Sequence, residues 1–277
     1  MASAPVHRGE VLATPWPGVH GTRLDSARHY ARHWHADFGF GLLERGAQQS
    51  ASGRGEVRAV AGDVITTNPG EVHDGRPVDG AARRWRMLYL APDAVAAVLG
   101  TPAGGLAFTQ PVHRERHRQT AIAALFRRLD AGPVRSGDAA ARMACDEALA
   151  RCCTALLAPA QPADDAPHAA LRAVRERLAD DPLAAPTLAE LAAMAGCSRF
   201  QLLRRFAALY GLPPHAWLLQ QRAENARRLI RDGARLADAA TGAGFADQSH
   251  LTRCFVRLFG YTPGDWQRAA VRPPRLQ

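Results

Sequence analysis

Along the first ninety residues, apolar side chains occur in short runs that glycine or a turn pair interrupts every few positions. The strings FGFGLLERGAQQ, GEVRAVAGDVITTNPGEVH and RRWRMLYLAP are such runs, separated by Arg-Gly, Gly-Asp and Pro-Gly signals. This spacing predicts an antiparallel sandwich or small barrel from about Trp16 to Leu90. Alternation along RRWRMLYL places Trp85, Met87 and Tyr89 on one strand face. Beyond Pro92 the period lengthens. Ile122, Leu125, Phe126 and Leu129 recur at helical spacing, as do Cys145, Leu149, Cys152 or Cys153, and Leu156. Two amphipathic helices between Glu115 and Leu157 therefore either cover the barrel, the default role, or pair with a second subunit, which the narrowness of the stripe favours. APAQPADDAP, Ala158 to Pro167, has the composition of a linker.

The last hundred residues contain a repeat. Shifted by 49, Leu202, Arg204, Phe206, Leu209, Gly211, Pro214 and Trp217 fall on Leu251, Arg253, Phe255, Leu258, Gly260, Pro263 and Trp266. Shifted by 48, Leu188, Ala189, Ala192, Ala195 and Gly196 fall on Leu236, Ala237, Ala240, Ala243 and Gly244. Each copy reads as a short helix, a turn and a longer helix. Thr187 with Glu190 and Ser198 with Gln201 are capping-box pairs, Asp247 is a good N-cap, and Gly196, Gly211 and Gly260 are placed to end helices. Leu202, Phe206 and Leu209 are expected to point inward. That leaves Arg199, Phe200, Leu203 and Arg204 for the outer face of the first unit, and Gln248, Ser249, His250, Thr252 and Arg253 for the second. Amide, hydroxyl and guanidinium groups at a helix N-terminus suit base edges and phosphates.

Charge sharpens this reading. The chain has 277 residues and a formal net charge of +9, all 35 basic residues being Arg. From His168 onward 16 Arg face 9 acids, whereas earlier 19 Arg face 17 acids. The excess thus sits with the repeat and points to a polyanionic partner there. Five cysteines without metal spacing read as reduced thiols. No apolar signal core or membrane-length run occurs, so a cytoplasmic protein without a membrane partner is expected. Met1 to Pro15 is left as either an arm over a pocket or a disordered tail.

The C-terminal segment resembles the DNA-binding domain of AraC/XylS-type transcription regulators. Gly244-Phe245, Asp247, Ser249, Arg253-Cys254-Phe255, Gly260 and Thr262-Pro263 carry the likeness. The resemblance implies two helix-turn-helix units joined by a long helix, here His215 to Arg231, with the second helices entering successive major grooves about 34 Å apart. It also carries base contacts to Phe200, Leu203, Arg204, Gln248, Ser249, His250, Thr252 and Arg253. Leu203 departs from this pattern, since it can read only a thymine methyl or line the backbone.

HWHADFGFGLLERG and GDVITTNPGEVHDG resemble the two short motifs of the cupin barrel, and the effector-binding domain that precedes many AraC-type DNA-binding domains. In metal-dependent cupins a His-x-His pair, a Glu and a later His hold the ion; this sequence supplies His33, His35 and His73. The Glu is missing, since Asp37 is the only acid before Leu43 and Glu44 falls several residues late. A small organic effector, in a pocket of His33, His35 and His73 with Trp85 or Tyr89 opposite, is therefore preferred to a metal cofactor.

The expected fold is α+β: a cupin-like β-barrel over residues 1–95, a helical dimerisation segment and linker over 96–166, and an all-α domain with two helix-turn-helix units over 167–277. The expected function is an effector-responsive regulator of transcription. It would bind double-stranded DNA as a homodimer and contact RNA polymerase if it activates. A cupin-type metalloenzyme, a dioxygenase or isomerase, is the alternative.

Overall fold

A computed structural model describes residues 7–131, 139–160 and 168–270. The glycine-punctuated N-terminal stretch forms strands β1 (His7–Ala13), β2 (Val19–Ser26), β3 (Tyr30–His33), β4 (Phe38–Arg45), β5 (Ala47–Ser52), β6 (Gly55–Val60), β7 (Val64–Thr67), β8 (His73–Pro77) and β9 (Arg83–Leu90). Helix α1 (Pro92–Leu99) follows. Two short strands then appear, β10 (Leu106–Phe108) and β11 (Val112–His113), before α2 (Arg116–Asp130), α3 (Ala139–Leu156) and β12 (Leu157–Pro159).

One sheet has the order β1-β2-β9-β4-β7-β11 and the other β3-β8-β5-β6, and every strand pair is antiparallel. Strand β9 is central to the larger sheet, and its period of two separates its faces. Leu88 and Leu90 join Phe38, Phe40, Phe108, Ile122, Leu125, Leu149, Cys152, Cys153 and Leu156 in a core under the helices. Trp85 and Met87 face the other way, with Leu24, Tyr30, Leu43 and Ile65. The apolar stripes of α2 and α3 are thus consumed within the chain. Each fully buried Leu or Phe there contributes roughly 1.5–3 kcal/mol. Gly39 pairs with Tyr89 across the sheet, and a Cβ there would lie 2.9 Å from the tyrosine ring. The missing side chain lets the ring lie over the sheet.

The C-terminal part is helical: α4 (Ala169–Asp180), α5 (Leu188–Met194), α6 (Arg199–Tyr210), α7 (Pro214–Arg231), α8 (Leu236–Gly242), α9 (Gln248–Phe259) and α10 (Pro263–Ala270). Both capping boxes form, at Thr187–Glu190 and Ser198–Gln201, and the Asp247 side chain accepts from the His250 amide. Gly211 and Gly260 adopt the left-handed conformation that ends α6 and α9. Leu202 and Phe206 are buried as expected, but Leu209 is 37% exposed. Tyr210, one residue on, takes the inward place instead, its ring 4.7 Å from that of Phe206.

Two more expectations are corrected. The strand-rich region begins before Trp16, because His7–Ala13 pairs along its whole length with β2; Met1–Val6 lie outside the described residues. Of the expected linker, Ala158 and Pro159 belong to β12, which pairs with β10, and residues 161–167 lie outside the description.

Candidate DNA-binding helices and sensing cavity

Helices α5 and α6 and helices α8 and α9 are the two units of the repeat, and α7 runs between them. In the first unit Arg199, Phe200, Leu203 and Arg204 are all exposed, Phe200 by 73%. Leu202 and Phe206 anchor the opposite face in a core with Leu171, Val174, Leu191, Leu212 and Trp217. In the second unit Gln248, Ser249 and Arg253 are exposed and His250 and Thr252 are half-buried. The His250 ring packs edge-on against Phe245, 5.2 Å away, and the Thr252 hydroxyl donates to the Gln248 carbonyl at 2.8 Å. Two of the five candidate side chains on α9 are therefore partly occupied within the helix unit, while the amide, hydroxyl and guanidinium of the other three face solvent. Leu251, Cys254, Phe255 and Phe259 hold the helix from behind.

Between the two sheets lies a cavity of about 100 Å³. His33, His35, His73, Trp85 and Tyr89 all line it, so the structure gathers every cavity residue expected from the sequence. His33 and His35 are buried where β3 ends and the chain turns toward β4, and His73 opens β8 opposite His33 in the register. Burial holds all three imidazoles below the ordinary histidine range, His33 to about 3, so they are neutral near pH 7. Glu44 is exposed on β4, and Asp37 is turned to Arg227 at 3.1 Å. Neither acid reaches the imidazoles.

The cavity has members that the sequence did not suggest. Arg83 is only 1% exposed and lies 4.7 Å over the Trp85 ring, with its guanidinium donating to Gln48 Oε1 and to the carbonyls of Arg28 and Gly75. Burial lowers its pKa to about 10, which leaves it cationic. More consequential are Leu258 and Phe259, from the last turn of α9, which complete the wall.

That contact belongs to a wider seam between the β-rich and helical parts. His7 Nε2 is 3.0 Å from the Gly260 carbonyl, and Trp34 stacks on Trp217 at 5.8 Å. Arg227 of α7 bonds both Asp37 and Glu224, and its guanidinium lies 3.3 Å from His20 Nε2. His20 stacks on Tyr89 and meets the Trp266 ring edge-on at 4.7 Å. Burial pushes the Glu224 carboxyl up to about 7 against the attraction of Arg227, while burial and the adjacent guanidinium hold His20 well below its usual value. Partners 190 and 207 residues apart leave no local signal. The one hint is an arginine on the apolar stripe of α7, between Ala223 and Ile230.

A two-sheet β domain carrying a cavity, followed by two helix-turn-helix units, defines a class of ligand-linked DNA-binding proteins. Residues 17–171 match the AraC-like ligand binding domain and residues 191–269 the helix-turn-helix domain. The chain belongs to the AraC family of transcription regulators, a non-enzymatic family, which sets aside the metalloenzyme alternative. Its helix-turn-helix units are DNA-binding elements. The chain is 27% identical over 230 residues to the uncharacterized HTH-type transcriptional regulator YbfI of Bacillus subtilis, covering 80% of this chain and 81% of that one. It is 40% identical over 87 residues to the transcriptional activator NphR of Rhodococcus, covering 31% of this chain and 26% of NphR. ToxT of Vibrio cholerae shares the fold, with a TM-score of 0.51 at 11% identity over 95% of this chain and 98% of ToxT. No described helix is long and apolar enough to cross a membrane.

Proposed function

We propose that this chain is an effector-responsive regulator in which a small organic molecule entering the β cavity alters operator binding through α9. One observation carries the reading. The helix that presents Gln248, Ser249 and Arg253 at its start lends Leu258 and Phe259 at its end to the cavity wall. Ligand sites commonly measure about 300–1,000 Å³, several times the roughly 100 Å³ between these sheets. An effector of more than a few atoms therefore enters only if a wall yields. Leu258 and Phe259 are the part of the wall that the helical domain supplies, the rest coming from the strands and the loops between them. Occupied cavity and docked α9 then compete, and the effector shifts the population toward an arrangement in which the second unit is released from the seam.

Phe200, Leu203 and Arg204 in α6 and Gln248, Ser249, His250, Thr252 and Arg253 in α9 are the proposed base-contacting set, with Arg199 on phosphate. The exposed pair Phe200 and Leu203 suits thymine methyls. Pairing of two chains and contact with RNA polymerase belong to the same reading. The apolar stripes of α2 and α3 being consumed within the chain, the first rests only on Met143 of α3, 60% exposed, and the second is supported by the activator NphR among the relatives.

The test is genome-wide mapping of binding by the native protein, followed by mobility shifts on the strongest site at two salt concentrations. A discrete site that survives moderate salt is expected. Diffuse binding that disappears with salt would mean that the helices carry no sequence readout.

A further inference from the structure

Another cleft lies in the seam, where the first helix-turn-helix unit meets the β domain. It measures about 470 Å³, within the range of about 300–1,000 Å³ common for ligand sites. Arg32 and Val72 line it from the β domain, and Arg175 of α4, Leu209 of α6 and Trp217 of α7 line it from the helical part. The two parts meet closely there: Trp34 stacks on Trp217, and a Cβ on Gly211 would lie 2.7 Å from Val72. Leu209, which helical spacing assigns to the core, lines this cleft instead and is 37% exposed.

The charge of the cleft is unbalanced. Neither Arg32 nor Arg175 forms an ion pair among the described residues. Arg32 donates to the Gly211 carbonyl at 3.3 Å, and the Arg175 guanidinium lies 5.3 Å from the centre of the Tyr210 ring. A carbonyl dipole and a ring face attract a cation without cancelling its formal charge, and most of the N–H donors stay free. Glu71 is the sole acid that lines the cleft among the described residues, and its two oxygens hold the Arg54 guanidinium at 2.7 Å. Two guanidinium charges thus stand uncompensated beside the last turn of α6.

We propose that this cleft binds a small phosphate monoester, of the size of a nucleoside monophosphate or a hexose phosphate, with its phosphate on Arg32 and Arg175. A phosphate monoester carries a charge of about −1.5 to −2 near pH 7, which matches two uncompensated cations better than the single charge of a carboxylate. Guanidinium groups also hold phosphate oxygens through paired N–H donors. Leu209 and Trp217 offer an apolar wall to the organic body. On the β side Gly53 and Gly70 line the cleft, and an added Cβ at either would meet nothing within 4 Å. That side is roomy backbone, suited to the hydroxyl groups of a sugar. The candidate base-contacting residues occupy the opposite end of α6, about 15 Å away along the helix, so the cleft serves a ligand other than the operator. A ligand that touches both parts binds their docked arrangement, and it therefore opposes the undocking that an effector in the β cavity promotes. That last consequence rests on the sensing function proposed above, whereas the site itself does not.

The experiment is isothermal titration calorimetry of the full chain with adenosine monophosphate and glucose 6-phosphate, and with adenosine and glucose as their uncharged matches. At least one ester should bind at one per chain and raise the thermal midpoint, while its uncharged match does neither. The double variant Arg32→Gln, Arg175→Gln should weaken that binding by at least about tenfold. Leu209→Glu, which sets a carboxylate in the cleft, should do the same, and Arg151→Gln on α3 should bind as the parent does. Circular dichroism is recorded for every protein, and if the double variant loses its fold, Leu209→Glu decides alone. A folded parent that binds neither ester at about 10 mM overturns the proposal. Undiminished binding by the folded variants overturns it as well, because the phosphate then sits on the recognition helices or elsewhere, and so does equal binding of the uncharged matches. Operator binding in the mobility shift is read separately, so failure of the cleft and failure of the regulator function are distinguishable.

Discussion

The rings of His35 and Phe259 lie 6.3 Å apart, centroid to centroid, one from the β cavity and one from the last turn of the helix that begins with Gln248. This pair joins the two halves of the chain at the place where a ligand would sit. Replacing Phe259 by Ala removes a ring that is 5% exposed and that also packs on Phe255 and Tyr261. A buried Phe→Ala change costs about 3–5 kcal/mol where the surroundings cannot collapse. Here α9 should remain folded on its own core but dock less tightly. The expected outcome is faster limited proteolysis between the two parts and an operator affinity less sensitive to effector. An unchanged proteolysis pattern would count against Phe259 as the link.

Arg253 is exposed and forms no ion pair among the described residues. Arg253→Ala should therefore leave the thermal midpoint nearly unchanged while weakening operator binding. If the guanidinium reads a base, discrimination at that base pair should relax by about 1–3 kcal/mol; if it holds a phosphate, affinity should fall evenly across sequences and the salt slope should drop by about one. Equal binding by parent and variant at low and moderate salt would displace α9 from the DNA interface.

Gly260 is a sharper probe of the seam. It caps α9 at a φ of 81°, and an added Cβ would meet Tyr30 Oη at 2.6 Å and would clash with Leu24. The Gly9 backbone is packed against its carbonyl as well. Gly260→Ala combines a left-handed penalty of about 1–2 kcal/mol with steric conflict at the seam. The expected result is a lower thermal midpoint together with greater protease access between the two parts. A variant as stable and as protected as the parent would show that the two parts are not held in this arrangement.

These residues also show which features sequence reading could reach. Capping boxes, N-caps and left-handed glycines act within a few residues, so both helix-turn-helix units and the ends of α6 and α9 were legible from local spacing. The period of two in β9 located Trp85, Met87 and Tyr89 on the cavity side. Leu209 was misplaced because apolar character at helical spacing does not settle a position at the edge of a stripe, where Tyr210 competes for the inward place. Strand β1 was missed because HRGEVLA is half polar and is fixed by its pairing with β2, while β10 and β11 are too short to show a period. The Arg227–Asp37 pair and the Phe259 wall exist only after two distant segments meet, and apart from an arginine on the apolar stripe of α7 nothing local announces them.

The seam should respond to pH through two groups of opposite sign. His20 is neutral when folded, its pKa held well below 6.5 by burial and by Arg227 and Arg231. Its contribution is present above the unfolded value and is lost as pH falls below about 6.5, by at most about 1.4 kcal/mol per unit. Glu224 behaves in reverse. Burial raises its carboxyl to about 7, so its contribution is present below the ordinary carboxyl range and is lost as pH rises from about 4.5 through 7. Unfolding free energies measured at pH 7.5 and 5.5 separate the two when each variant is compared with the parent, since all other titrations then cancel. His20→Gln should make acidification less destabilising than in the parent, by about 1 kcal/mol. Glu224→Gln should make it more destabilising, by up to about 2 kcal/mol. If both variants follow the parent's pH profile, neither group changes its environment when the chain unfolds, and the buried cluster around Arg227 is not the contact that holds α7 against β2.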